Sequence, residues 1–214
     1  MPDLLKQQLE RCLDLQSVLN CALNRSLALT GTVLGNLQVM DWRTGYLTIE
    51  AQRGFNDDFL TFFRRVNADD GSACARAIRN RSSIVIKDVL VDREFAPCRE
   101  IVIDAGVRAV QSTPLISSRG AFLGVLSTHF EAVHTPSEQE MQAMKQVAEL
   151  TANAILRRRG EKNTREQMRE AFKAIQTSGQ LLRRINAAQH AHDARAERVL
   201  GGRGDFAGWM RRSG

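Results

Sequence analysis

The sequence has no run of about 18 apolar residues, the length that a membrane-spanning helix requires. Residues 1–15 mix charged and apolar side chains, and they lack the continuous apolar stretch of a secretory signal peptide. We therefore expect neither a transmembrane segment nor export. These two absences favour a cytoplasmic protein.

Cysteine and histidine are both scarce, with four residues of each. Cys12, Cys21, Cys74 and Cys98 lack the paired spacing of metal-binding or disulfide motifs, so we expect reduced thiols. No second histidine, cysteine or carboxylate lies at ligand spacing from His129. The sequence therefore does not predict a zinc or other metal site.

The usual phosphate-binding and output motifs are also missing. The segment Asp-Asp-Gly-Ser at residues 69–72 lacks the glycine-rich spacing and the lysine of a phosphate-binding loop. There is no kinase, helix-turn-helix or cyclase motif. If the protein signals, we expect its output to lie in another chain or in a region missing from this one.

The most informative stretch is residues 106–130. Residues 107–116 and 121–130 are rich in β-branched and other apolar residues and predict two strands. The Ser-Ser-Arg-Gly segment between them, residues 117–120, predicts a turn. A hairpin that is apolar on both faces must be covered on both faces, so we expect layers on each side of a sheet.

The rest of the chain shows alternating helical and strand patterns. They predict helices over residues 3–28, 57–65, 73–80 and 97–104 and from about 136 onward, and further strands over residues 37–41, 46–53 and 83–86. Gly31 and Gly35 are expected to break the first helix, and residues 157–160 to end or interrupt the last one. A second long helix then follows, with an imperfect heptad seam formed by Met168, Phe172, Ile175, Gly179 and Leu182.

Positive charge is concentrated near the C-terminus. Residues 157–214 hold 14 Lys and Arg against 6 Asp and Glu, whereas residues 1–156 hold 16 against 18. This basic segment could contact nucleic acid, an acidic partner or anionic lipid. The lack of interleaved aromatics and the admixed acids favour instead the solvated face of a helix whose apolar seam dimerises. We therefore do not expect the basic tail to contact nucleic acid or membrane.

Five separated segments, in this order, resemble the GAF sensor domain: AQRGF, DDGSACARAI, IVIKDVLVDREF, AGVRAVQSTPL and LGVLSTH. The resemblance covers residues 13–156. It implies an α+β fold with a central antiparallel sheet of five or six strands, helices on both faces, and long N- and C-terminal flanking helices. The expected division is a GAF domain over residues 1–159, a helical extension over 160–200 and a disordered tail over 201–214.

The resemblance also implies a small-molecule pocket between the sheet and residues 72–77 and 95–103. Such pockets are mostly apolar and hold a few polar groups that fix the orientation of the ligand. The side chains expected near it are Phe63, Cys74, Phe95, Arg99, Ile103, Val110, Ser112, Thr128 and His129. The cofactor or ligand itself stays unidentified.

Several of these residues have more than one interpretation. Arg99 and Arg108 could bind an anionic ligand, or they could be solvated helix-end arginines. His129 could bind haem axially, although a structural histidine is expected. Cys98 lies near the bilin-attachment position of some relatives, but the surrounding residues and spacing differ. Ser112 and Thr128 are either ligand-binding hydroxyls or satisfied core polar groups.

The resemblance implies a non-enzymatic sensor that binds a small molecule and signals through its flanking helices in a homodimer. Residues 5–27 and 141–156 are the expected dimer helices, and the C-terminal helix could contact a signalling partner. One alternative is a thiol-dependent methionine sulfoxide reductase that uses Cys74, because related enzymes carry a cysteine at that position. Another is a ligand-free scaffold for interaction or dimerisation.

Overall fold

The computed structural model describes the backbone of residues 2–201 and the side chains of residues 4–174, 176–178, 180 and 183. The chain divides into two compact units, Met1–Gly160 and Glu161–Gly214. The predicted tail lies, from residue 202 onward, outside the described residues, and so do the side chains of Ile175 and Leu182.

Six α-helices and five strands are found in the described part of the chain. They are α1 (Pro2–Arg11), α2 (Leu15–Thr30), β1 (Leu34–Asp41), β2 (Tyr46–Arg53), α3 (Asp57–Phe62), α4 (Ala73–Asn80), β3 (Ile84–Ile86), a 3-10 turn (Ala96–Cys98), α5 (Arg99–Asp104), β4 (Ala109–Ile116), β5 (Phe122–Phe130) and α6 (Glu138–Gly201). The strands form one sheet in the order β2-β1-β5-β4-β3, with every pair antiparallel. The predicted α+β fold is confirmed.

The central hairpin forms as predicted. Strands β4 and β5 pair along their whole length, with Ser112 opposite Ser127 and Gln111 opposite Thr128. The turn closes with a hydrogen bond from the Gly120 amide to the Ser117 carbonyl (2.8 Å), and Gly120 adopts a φ of 78°. Every residue of β5 is buried, so both faces of the sheet are covered.

The two faces of the sheet carry separate apolar cores. Helices α3, α4 and α5 cover what we call the pocket face, which receives the side chains of Asn36, Gln38, Ser112, Ser127 and His129. Helices α1 and α2 and the first part of α6 cover the opposite face, which receives Leu37, Val39, Gln111, Leu126 and Thr128. Since strand side chains alternate, β1, β4 and β5 each contribute to both cores.

The predicted single N-terminal helix is wrong, because the chain forms two helices separated by residues 12–14. Asp14 caps α2: its carboxylate accepts a hydrogen bond from the Ser17 amide at 2.7 Å, which helps to lower the pKa of Asp14. Gly31 ends α2 in the left-handed conformation as expected (φ 70°), whereas Gly35 lies inside β1.

The predicted interruption of the C-terminal helix at residues 157–160 is also wrong, because α6 is continuous from Glu138 to Gly201. Two of the arginines there bind backbone carbonyls of α1 instead. Arg157 and Arg158 donate to the carbonyls of Leu9 (3.2 Å) and Glu10 (3.1 Å), in the last turn of α1. Cations at a helix C-terminus satisfy unpaired carbonyls and interact favourably with the helix dipole. None of the described helices combines the length and apolarity needed to cross a membrane.

Candidate functional site

Helix α4 brings a buried thiol against the central hairpin. The Asp-Asp-Gly-Ser segment ends in Ser72, whose hydroxyl caps α4 by accepting a hydrogen bond from the Ala75 amide at 3.1 Å. The first turn of α4 points Cys74 at the sheet, where its Sγ lies 3.3 Å from the Ser127 Oγ and 3.7 Å from the Ser112 Oγ. The two hydroxyls are themselves 2.7 Å apart. These three side chains form a closed polar cluster at the centre of the pocket face.

An aromatic wall stands beside this cluster. Phe55 and Phe59 stack with ring centroids 3.8 Å apart, and Phe63 lies 4.7 Å from Phe59. His129 on β5 meets the edges of two of these rings, at 4.9 Å from Phe55 and 5.8 Å from Phe59. The wall shields His129 from water and fixes the plane of its imidazole.

Between this wall and the sheet lies a small cavity. It is lined by Asn36, Gln38, Phe59, Phe63, Ala73, Cys74, Phe95, Val102, Val110 and His129. The space left for the centre of a water molecule is about 20 Å³, which is room for about one water. A larger ligand must therefore displace lining side chains.

Unpaired polar atoms converge on this cavity. Asn36 Oδ1, both amide atoms of Gln38 and the Nδ1 of His129 are buried and have no hydrogen-bond partner in the described part of the protein. Each such group costs about 1–3 kcal/mol when it stays unpaired. Buried polar groups are normally hydrogen-bonded, so four orphaned atoms in one cavity call for partners that the described side chains do not supply.

The ionisable groups of the cavity are held neutral. Burial lowers the pKa of His129 to about 3, and burial raises the pKa of the Cys74 thiol above its usual value. Burial also raises the pKa of nearby Cys98, to about 11. At neutral pH the cavity therefore holds a neutral imidazole and an unreactive thiol.

Substituting Gln38 with Met is expected to stabilise the protein without ligand by about 1–2 kcal/mol, because it removes an unpaired amide while keeping side-chain volume. The free energy of unfolding in urea measures this directly. The matched control is Gln16→Met, since the amide of Gln16 already donates to the Glu50 carbonyl at 2.8 Å. The control should lose stability or stay unchanged. A destabilised Gln38→Met variant would show that the Gln38 amide has an internal partner.

The structure places five of the nine predicted site residues in the cavity wall: Phe63, Cys74, Phe95, Val110 and His129. Ser112 lies just behind Cys74. The remaining three are elsewhere. Arg99 turns away and donates to the carbonyls of Val89 (3.0 Å) and Asp92 (3.1 Å). Ile103 is 43% exposed, and Thr128 lies on the opposite face, in register with Gln111.

Arg108, the other arginine considered for anion binding, is engaged with a carboxylate. It binds Asp88 through two hydrogen bonds of 2.7 and 2.8 Å, and these hold the pKa of Asp88 at about 2. This pair secures the loop before β4 and leaves the cavity without a cation from either arginine.

Three lining residues were not predicted from the sequence, namely Asn36, Gln38 and Phe59. Ala73 and Val102 lie within the segments 72–77 and 95–103 that were expected to border the pocket. A signal was available in β1, where Asn36 and Gln38 stand two residues apart in an otherwise apolar segment. Side chains at that spacing share one face of a strand. Two buried amides on one face need hydrogen-bond partners. Such a pair indicates a polar pocket, which the pattern of apolar residues alone does not reveal.

A family model described as GAF domain matches residues 12–156. A methyl sulfide methyltransferase-associated sensor of Methanosarcina acetivorans is 29% identical over 72 residues, a match that covers 34% of this chain and 7% of that protein. This chain therefore spans a small part of that relative's length.

Solved structures share the architecture. The GAF domain of a phosphoenolpyruvate-protein phosphotransferase from Coxiella burnetii superposes with a TM-score of 0.64 at 17% identity, covering 76% of this chain and 94% of that one. The free methionine-R-sulfoxide reductase of Neisseria meningitidis, solved with its substrate, gives a TM-score of 0.59 at 16% identity, covering 75% and 89%. The family match spans most of the chain and the fold agrees with it: the chain belongs to the GAF domain family.

Proposed function

We propose that this chain is a non-enzymatic sensory domain of the cytoplasm that binds a small molecule in the cavity between β1, β5 and helices α3–α5. The observation that supports it most is the set of four unpaired polar atoms of Asn36, Gln38 and His129. The similarity to a protein named as a sensor agrees with this role. Burial of the Cys74 thiol raises its pKa, which opposes thiol chemistry in the same cavity.

The fold offers a route from the cavity to the flanking helices. Strand β1 carries Gln38 on the pocket face, while Gly35 of the same strand lets α2 approach closely. A Cβ at Gly35 would meet side-chain atoms of Leu27 and Leu23 at 2.8 and 3.1 Å. Movement of β1 against a ligand therefore changes the packing of α2 directly. The bonds of Arg157 and Arg158 to α1 tie the first part of α6 to the same helical layer. A ligand that favours one packing over another shifts that equilibrium.

A thermal-shift screen of a metabolite library tests the proposal. A ligand at about a hundred times its Kd adds about 2.7 kcal/mol, or about 5–10 °C for a chain of this size. We expect the shift in the wild type and its loss in Gln38→Met. Thr113→Val is the matched control, because Thr113 has an equally buried, unpaired hydroxyl but sits in register with Leu126 of the opposite core. A ligand that shifts all three proteins equally would contradict binding in this cavity.

We propose that the domain is a homodimer joined through its second unit, because the apolar seams predicted for residues 5–27 and 141–156 are buried in the core of the same chain. Met168 and Phe172, four residues apart on α6, are 68% and 63% exposed, and residues at this spacing share a helical face. Replacing both with Glu is expected to convert a dimer of about twice 23.9 kDa into a monomer. Light scattering after size-exclusion measures the mass.

The control for this substitution is the pair Gln167→Glu and Ala174→Glu. It adds the same two charges to the same part of α6, but at positions about 100–120° around the helix axis from Met168. The control should stay dimeric. A wild-type monomer at tens of micromolar would contradict the dimer.

Similarity to the Neisseria reductase keeps a second candidate in view, a thiol-dependent methionine sulfoxide reductase using Cys74. Such an enzyme needs a reactive thiolate and a resolving partner. Burial raises the pKa of Cys74, which opposes that role. We expect no thiol-dependent reduction of free methionine sulfoxide by the wild type. Turnover that is lost in Cys74→Ser would establish the enzyme instead.

A further inference from the structure

The cavity wall is uncharged, and this restricts which molecules the cavity can bind, provided that the sensory function proposed above is correct. Its ten lining residues are aromatic, aliphatic, amide, thiol or imidazole, and none carries a formal charge at neutral pH. The cations considered for this site are used elsewhere: Arg99 binds loop carbonyls and Arg108 binds Asp88. An anionic group in this cavity would be desolvated without a counter-ion, which is strongly unfavourable.

The unpaired atoms specify the hydrogen-bonding pattern of the occupant. Gln38 offers both a donor, Nε2, and an acceptor, Oε1, and neither has a partner in the described chain. Rotating the amide by 180° exchanges the two atoms but still leaves one donor and one acceptor. Asn36 adds an acceptor, and the Nδ1 of His129 adds a donor or an acceptor according to its tautomer. A molecule that pairs with Gln38 must itself carry an acceptor beside a donor.

The aromatic side chains around these atoms favour a planar ligand. Phe59 and Phe63 stand on α3 and at its C-terminal end, and Phe95 precedes the 3-10 turn. Aromatic rings at these positions pack best against another planar group. The cavity has room for only about one water, so a ring must displace side chains of α3 or α5.

We infer that the cavity binds a planar, uncharged molecule with an amide or lactam edge, and that it discriminates against the corresponding carboxylate. The amide edge would pair with Gln38, and the ring would pack against the phenylalanines once lining side chains have moved aside. The carboxylate lacks the donor that the edge requires and brings a charge that no lining side chain compensates.

Three pairs of probes test this inference on the full chain: nicotinamide with nicotinate, benzamide with benzoate, and uracil with orotate. In the first two pairs the anion loses the donor and gains a charge, whereas orotate keeps the lactam edge and only gains the charge. Titration calorimetry and thermal shift are measured for the wild type, Gln38→Met and Thr113→Val. We expect at least one neutral member to bind at least about tenfold more tightly than its anion. Its affinity should fall about tenfold in Gln38→Met and stay unchanged in Thr113→Val.

Other outcomes overturn the inference in distinguishable ways. If a carboxylate binds more tightly than its neutral partner and its affinity falls in Gln38→Met, the inferred neutral ligand class is wrong but the proposed sensory function stands. If binding is unchanged in Gln38→Met but lost in Arg53→Gln, the probe binds in the open groove along β2, which Arg53 and Arg64 line. That result would contradict binding in the cavity. If no probe binds, the amide class is wrong. The sensory function then fails as well if the metabolite library gives no Gln38-dependent shift.

Discussion

The Gly124→Ala variant is expected to lose about 3 kcal/mol or more of its free energy of unfolding. A Cβ at Gly124 would lie 2.0 Å from the carbonyl oxygen of Gln38 and 3.1 Å from the Cα of Val39. Both are backbone atoms of the paired strand β1, so no side chain can rotate away. The two central strands must separate, and overpacking of a rigid core costs about 1–3 kcal/mol or more. Urea unfolding measures the loss.

The control is the same substitution at Gly160. Its Cβ would meet nothing within 4 Å, and Gly160 lies within α6. Alanine in a helix interior is about 0.5–1 kcal/mol better than glycine, so Gly160→Ala should gain stability. Equal effects at the two positions would contradict the close contact of β1 and β5 that fixes Gln38 in the cavity.

Acidification below pH 6.5 is expected to destabilise the protein by about 1.4 kcal/mol per pH unit through His129 alone. Its pKa is about 3 in the folded state and 6.5 in the unfolded chain. Between these values the unfolded state binds one more proton, so stability is complete above pH 6.5 and falls as the pH drops toward 3. At pH 4.5 the loss is about 3 kcal/mol.

Urea unfolding of the wild type and His129→Gln at pH 7.5, 6.0 and 4.5 tests this linkage. The variant should show a flatter dependence on pH, by about one proton. Asp88 does not interfere at these pH values. Its pKa is about 2 in the folded state and 3.8 in the unfolded chain, so its contribution to stability is lost only as the pH falls below about 3.8. Parallel pH dependences for the two proteins would mean that His129 is accessible to protons in the folded state.

The elements with strong local signals were predictable from sequence. The Ser72 cap and Ala73–Asn80 helix follow from the Gly-Ser segment and its apolar spacing, and the hairpin follows from two apolar runs around a polar turn. Each signal is contained within a few residues, so it does not depend on contacts distant in sequence. Cys74 was expected near the sheet from the family resemblance, and the structure places it there.

The sequence does not reveal which face of the sheet each side chain lies on, because the strands are buried on both faces. Strand β5 is buried at every position, so its pattern gives no alternation to separate Ser127 from Thr128. Ser112 and Thr128 were both expected near the pocket, yet the register pairs Ser112 with Ser127 and Thr128 with Gln111. The register comes from tertiary packing and not from the pattern of a fully apolar strand.

Short helices caused the other differences. The 3-10 turn at Ala96–Cys98 precedes α5, and a shift of one residue rotates a helical position by about 100°. Val102 consequently lines the cavity while Ile103 faces solvent. The basic triplet 157–159 had suggested a helix end, but a glycine inside a helix costs only about 1 kcal/mol, which tertiary bonds such as those of Arg157 can offset.

Native mass spectrometry of the full chain, exposed to a small-molecule extract of cells and then desalted, tests most directly whether the buried amides form a ligand site. We predict one bound small molecule per chain in the wild type and in Thr113→Val, and none in Gln38→Met. An identical pattern in all three proteins, with or without a bound molecule, would contradict a ligand site at Gln38.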